Sequence, residues 1–209
     1  MLNVSIHASR RLGEDKTEGS AWNGLAIVLQ EVGRPGDALT AYANARKLLL
    51  QTGNLASLAN LYNNEGVALS RAGRLQEAFT VHEYAGLVIY EAGSPEQAIP
   101  LHEAALAINR SIPSRRGEAV SLGNIGAALA EAGRLEDAIS AYCRSAEIFK
   151  NDLNAFSAGE EYEALARTLQ RAGKGTTEIR SAWEAATRAY IDAGALGNAA
   201  RARHEAESV

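Results

Sequence analysis

The sequence predicts an all-α fold, an α-solenoid of antiparallel helix hairpins with about ten helices. Two apolar stripes at helical spacing flank Gly133. The first runs Leu122, Ile125, Gly126 and Leu129; the second runs Leu135, Ala138, Ile139, Tyr142, Ala146 and Phe149. Gly133 stands where a left-handed helix cap costs glycine least, and Arg-Leu-Glu-Asp then opens the next helix with acidic residues in its first turn. The same phrase recurs. Gly-Arg-Pro-Gly-Asp-Ala starts at Gly33, Gly-Arg-Leu-Gln-Glu-Ala at Gly73 and Gly-Ser-Pro-Glu-Gln-Ala at Gly93, with weaker echoes at Gly173 and Gly194. Small Gly126 and Ala138 mark places where two helix backbones are expected to approach closely.

Taken in order, residues 1–13 read as the end of a helix. At an offset of 100 residues, Ile6 falls on Leu106, Arg10 on Arg110, Leu12 on Ile112 and Glu18 on Glu118. The chain is therefore expected to begin inside the second helix of a unit, as a fragment or truncated descendant of a longer array. Helices follow at 18–32, 36–51, 55–72, 74–92, 95–111, 116–132, 135–150, 155–172, 175–193 and 195–207. Gly53-Asn54, Ile112-Pro113-Ser114 and Asn151-Asp152 mark loops. Ser94 can cap, Pro95 suits the first helical position and Gln97 can complete a capping box, whereas Pro100 should bend its helix slightly.

The glycine turns lie 40 residues apart from Gly33 to Gly73, Gly93 to Gly133 and Gly133 to Gly173, but only 20 apart from Gly73 to Gly93. The helix over 79–90 thus plays two parts: second helix of one hairpin and, through Ala85, Gly86 and Ile89, first helix of the next. One helix lost from an alternating solenoid exchanges its inner and outer layers, so a repeat-phase break is expected near 74–110, or an exchange with a second chain that restores the lost neighbour.

Trp22, Leu25, Ala26, Leu29, Gly33, Ala38, Tyr42 and Ala45 fall at the spacing of the tetratricopeptide signature, and the chain resembles that family. Tyr62, Gly66, Leu69, Gly73, Ala78 and Ala85 match it in a second unit; Leu122, Ile125, Gly126, Leu129, Ala138 and Tyr142 match it in the central one. The resemblance implies a right-handed superhelix, here one domain over 1–209 with repeat elements at 18–51, 55–92, 95–111, 116–150, 155–193 and 195–207. It implies less about function, because the motif residues are packing residues. The 40-residue units, rich in arginine and poor in lysine, are also similar to the repeat tails of bacterial multidomain regulators.

Composition narrows the function. A net charge of −4 gives no basic stripe for nucleic acid or an anionic membrane, and no apolar run approaches the length of a membrane span. The first residues do not read as a secretory signal, and Cys143 is the only cysteine, so a cytoplasmic setting is expected. No phosphate loop, dinucleotide fingerprint, nucleophile elbow or zinc spacing appears, so neither an enzyme nor a cofactor or metal is expected. His82 and His102 read as packing residues, Cys143 as a buried or half-buried side chain, and Trp22 and Trp183 as core.

The family resemblance implies that Asn64 and Asn124, just before the motif glycines, face a concave groove and bind an extended peptide backbone, for which an amide supplies both donor and acceptor. Asn23, Gln30, Asn60, Asn63 and Arg71 would line the same side. Arg167 and Arg171, with Glu160 and Glu163, form a further mixed-charge strip. The competing account makes these exposed polar residues and i,i+4 pairs worth a few tenths of a kcal/mol each, on the order measured for such pairs. The family's clamp for a C-terminal carboxylate is disfavoured, since only Lys16, Lys47, Lys150 and Lys174 are present. The expected function is a protein- or peptide-binding scaffold, an interaction or sensor arm of a bacterial signalling protein. Its rivals are a small-molecule or signal-peptide receptor with a pocket closed by Tyr62, Tyr84 or Tyr90, and a homodimerisation module that associates through exposed repeat ends.

Overall fold

A computed structural model describes residues 15–112 and 114–209, and every regular element among them is an α-helix. In order these are α1 (Asp15–Glu31), α2 (Pro35–Thr52), α3 (Leu55–Arg71), α4 (Leu75–Glu91) and α5 (Pro95–Ser111). They continue as α6 (Arg115–Glu131), α7 (Leu135–Asn151), α8 (Ala155–Arg171), α9 (Thr176–Asp192) and α10 (Leu196–Ser208). The expected class therefore holds: ten helices among the described residues, in consecutive antiparallel hairpins. The expected remnant helix at 1–13 and the turn residue Pro113 lie outside the described residues.

The turns explain the regularity. Gly33, Gly73, Gly93, Gly133, Gly173 and Gly194 all take the left-handed conformation. At Gly133 the N–H of Gly133 reaches the Ala130 carbonyl (3.2 Å) and that of Arg134 the Leu129 carbonyl (2.9 Å), which closes the helix end. Six of the helix starts fall into two kinds. Side chains of Asn54, Ser114 and Asn154 accept from the backbone N–H of Ser57, Gly117 and Ser157 at the starts of α3, α6 and α8. The hairpin partners α2, α4 and α7 begin instead with an arginine paired to an acid three residues on: Arg34 to Asp37, Arg74 to Glu77 and Arg134 to Asp137.

The chain divides into two compact units, with the boundary between Gln97 and Ala98, inside the 74–110 window of the expected phase break. In the first unit α1 to α4 pack in succession, and α1 also touches α3. Its core holds Ala38, Tyr42, Ala45 and Leu49 of α2 with Leu58, Leu61 and Tyr62 of α3. In the second unit α6 to α10 pack in succession and α6 also touches α8. Ala119, Phe149, Ala158 and Ala189 form a buried cluster there, drawn from four helices, with Ile148 and Tyr162 against it. Asn109 of α5 donates to the Ser121 hydroxyl of α6 at 3.3 Å.

The double duty expected of the 79–90 helix is visible in what α4 buries. Ala78, His82, Ala85 and Ile89 stand at the places of Ala38, Tyr42, Ala45 and Leu49 in α2, while Gly86 stands at the place of Gly66 in α3. The motif glycines make room for rings rather than for a second backbone, which refines the expectation of close backbone approach. A Cβ added at Gly126 would lie 2.9 Å from the Tyr142 ring, and one at Gly66 would lie 2.1 Å from His82. His82, His102 and Trp183 are buried and Cys143 is half-buried, each as expected, whereas Trp22 is only partly buried and donates to Glu18 (3.2 Å).

Candidate functional site

Contact between α1 and α3, and between α6 and α8, makes the first helices of neighbouring hairpins line one side of each unit. On α3 the exposed residues Ala56, Asn60, Asn63, Val67 and Arg71 recur every three or four positions, so they form one stripe along a single helix face. Val67 and Val28 supply apolar surface there or near it, being 37% and 40% exposed.

Asn64 and Asn23 are brought together. The Asn64 amide donates to the Asn23 amide oxygen at 3.4 Å, joining α3 to α1 across 41 residues of sequence. A bond of this length is weak, and each amide keeps further donor and acceptor capacity. Gln30 accepts from the Tyr42 hydroxyl at 3.2 Å, so its oxygen is engaged in tying α1 to α2. Burial raises the Tyr42 hydroxyl above its ordinary value, with the Glu65 charge adding to this, whereas the Arg71 charge works the other way. Arg71 therefore stands at the same end of the unit as Gln30 and Tyr42. Asn60 and Asn63 face outward on the stripe.

In the second unit Asn124 is half-buried on α6. Arg171 reaches back from α8 to the end of α6, donating to the Ala130 carbonyl (2.7 Å) and to Glu131 (3.3 Å). Arg167 donates to Glu163 at 2.6 Å, the i,i+4 pair that the sequence allows, and its guanidinium lies 6.0 Å from the Trp183 ring centre. The structure therefore gives both arginines helix-joining work, and they do not share a partner. Glu163 is buried and also accepts from the Tyr190 hydroxyl (2.9 Å) and from Arg201 (2.9 Å). Burial and the bond to Glu163 push the Tyr190 hydroxyl up to about 12. The exposed carboxyl of Glu160 is raised by partial burial and by the nearby Glu163 charge.

Of the tyrosines considered as a pocket wall, Tyr62 is core, set edge-on to Tyr84 at 6.2 Å, and its hydroxyl is buried without a partner. Burial pushes that hydroxyl up to about 12. Two clefts among the described residues have other linings. One of about 480 Å³ lies among Thr40, Arg46, Glu65, Arg74 and Val81; another of about 500 Å³ lies among Arg180, Glu184, Arg188, Arg203 and Glu207. No group of three or more metal-ligating side chains occurs among the described residues, and none of their helices is long and apolar enough to cross a membrane.

Sequence reasoning passed over Glu161. Its Oε2 is enclosed without a hydrogen-bond partner, and a Cβ added at Gly123 would lie 2.3 Å from its Oε1. The signal was Gly123 itself, a second glycine near the motif glycine Gly126 that the repeat pattern does not require.

A family model described as "Tetratricopeptide repeat" matches residues 17–85 and 79–151, two spans that overlap within α4. No curated protein sequence matches the chain significantly. Among solved structures, BtubC (BKLC) from P. vanneervenii is 15% identical with a TM-score of 0.51, and the match covers 99% of this chain and 87% of that one. A signal transduction ATPase with numerous domains (STAND) from Pyrococcus horikoshii, with a tetratricopeptide repeat sensor, is 13% identical with a TM-score of 0.53. That match covers 93% of this chain but only 36% of the STAND protein. At these identities the likeness is one of fold.

Proposed function

Because this chain belongs to the tetratricopeptide repeat family, we propose that it is a non-enzymatic scaffold that binds a protein or an extended peptide along its first-helix stripes. The observation that carries the reading is the Asn64–Asn23 amide link between two successive first helices, flanked by the exposed Asn60, Asn63 and Val67. Amides so placed offer a donor and an acceptor at each step, the pattern a peptide backbone presents in return. Neighbouring hairpins hold the helices in place, so little ordering cost is added on binding. The STAND protein carries its repeats as a sensor; by analogy, a sensor or assembly arm of a cytoplasmic bacterial regulator is the setting proposed for this chain.

The test is a pull-down from the source cell with the wild-type chain and with Asn64→Ala/Asn124→Ala. Partner recovery should fall at least about tenfold in the double variant, the loss expected for one or two hydrogen bonds of about 1 kcal/mol each with their flanking contacts. Equal recovery, with circular dichroism showing both proteins folded, would reject the groove assignment.

A further inference from the structure

We propose that the seat of α8 on the α6–α7 hairpin is a proton-dependent latch, in which the uncharged Glu161 side chain fills the slot left by Gly123 and its ionisation loosens the seat. Glu161 comes from α8 and lies against the backbone of α6 at Gly123, where any side chain would displace it. The Oε2 atom is sealed from solvent and has no hydrogen-bond partner. From α7 the group that meets it is the Ser145 hydroxyl, itself fully buried. That hydroxyl has one proton, and it donates to the Ala119 carbonyl of α6 at 2.8 Å.

Counting donors decides which form the site holds. A neutral carboxylic acid can donate its own proton to the Ser145 oxygen and leave the Ser145–Ala119 bond intact. A carboxylate needs donors and finds at most that one hydroxyl, which would then abandon the buried Ala119 carbonyl. Either choice orphans a buried polar atom. The charge that acts on Glu161 comes from its α8 neighbour Glu160 and has the same sign, so it opposes ionisation as well. In agreement, burial pushes the Glu161 carboxyl up to about 7, with the Ser145 bond opposing and the Glu160 charge adding. The ionised side chain gains its hydration only by leaving the Gly123 slot, and that separates α8 from α6.

Three measurements test this on the full chain. Carbon-detected NMR of the Glu161 carboxyl in the wild-type protein should give a midpoint near neutrality; a midpoint in the ordinary carboxylate range overturns the proposal. Thermal melts at about pH 5 and about pH 8 should show Glu161→Gln gaining on wild type at the higher pH, because the amide stays neutral. Glu160→Gln removes only the exposed neighbouring charge and leaves Glu161 in the slot, so it should still lose stability at the higher pH, by somewhat less than the wild type. Equal wild-type and Glu161→Gln losses across that range would also overturn it. Hydrogen exchange localises the effect: protection of the 119–126 and 158–165 amides should fall by up to about a hundredfold between those pH values after correction for intrinsic rates, and much less in Glu161→Gln. Unchanged protection of both segments in the wild type counts against the latch even if Glu161→Gln fails to fold.

Discussion

A turn that breaks the rule shows what the rule is worth. Leu153 occupies the place at which seven other turns carry a left-handed glycine, and it holds φ at 56° with its side chain 91% exposed. A left-handed non-glycine residue costs about 1–2 kcal/mol, and almost no packing would be lost with this side chain. Leu153→Gly should therefore stabilise the chain by about 0.5–1 kcal/mol after the added entropy of the unfolded glycine, read as a higher urea midpoint. The motif glycines give the opposite sign. Alanine at Gly66 would press on His82 from 2.1 Å, and that ring is buried at 2% exposure with nowhere to retreat. Gly66→Ala should cost about 1–3 kcal/mol despite alanine's better helix propensity. Gly126→Ala meets Tyr142 at 2.9 Å and should cost less. If both variants match the wild type in chemical denaturation, the ring-slot account fails.

At the scale of elements, the helices were readable because their ends are written locally. The glycine phrase fixes where one helix stops and the next starts, and observed ends fall within a few residues of the expected ones. The double role of α4 was readable too, since a 20-residue spacing among 40-residue ones is a one-dimensional fact. Contacts between hairpins were not. Asn23 meets Asn64, Arg171 meets Ala130 and Gly123 meets Glu161 across some 40 residues, and which helix face turns toward the previous hairpin depends on tilts that periodicity does not encode. Glu163 illustrates this: it reads as one half of an i,i+4 pair, yet it gathers Arg167, Tyr190 and Arg201 from three helices. α10 depends on such links, because its buried residues are only Ala199, Ala202 and Ala206. Glu163→Ala would remove the buried carboxylate that Tyr190, Arg167 and Arg201 share, leaving Tyr190 only its bond with Asn198, and should cost about 2–4 kcal/mol. Hydrogen exchange should show the 196–208 amides losing protection first; unaltered exchange there would contradict the role given to Glu163.

For the molecule as a whole, each unit carries its own buried titratable group on a glycine slot, and the two have opposite signs. In the first unit His82 lies on Gly66 with Nδ1 unpartnered, and burial holds it below the ordinary histidine value, with the Glu83 charge opposing. The folded state thus binds fewer protons than the unfolded one as the solution becomes acidic, so the stability due to His82 is full above about pH 6.5 and is lost as pH falls through the folded value. In the second unit Glu161 is raised, so its contribution is full below about pH 4.5 and is lost as pH rises toward 7, by up to about 3 kcal/mol at 1.36 kcal/mol per pH unit. Glu65 of the first unit is also raised by burial, with Arg46 3.4 Å away opposing, so that unit's own profile is mixed and a variant must isolate the histidine. His82→Phe does so, because the equivalent slot at Gly126 already holds an aromatic ring. Between about pH 7 and about pH 5, exchange from α3 and α4 should accelerate in the wild type more than in His82→Phe, while α6 and α8 become better protected in both. Identical α3 and α4 profiles in the two proteins would show that His82 does not set the acid limit of the first unit.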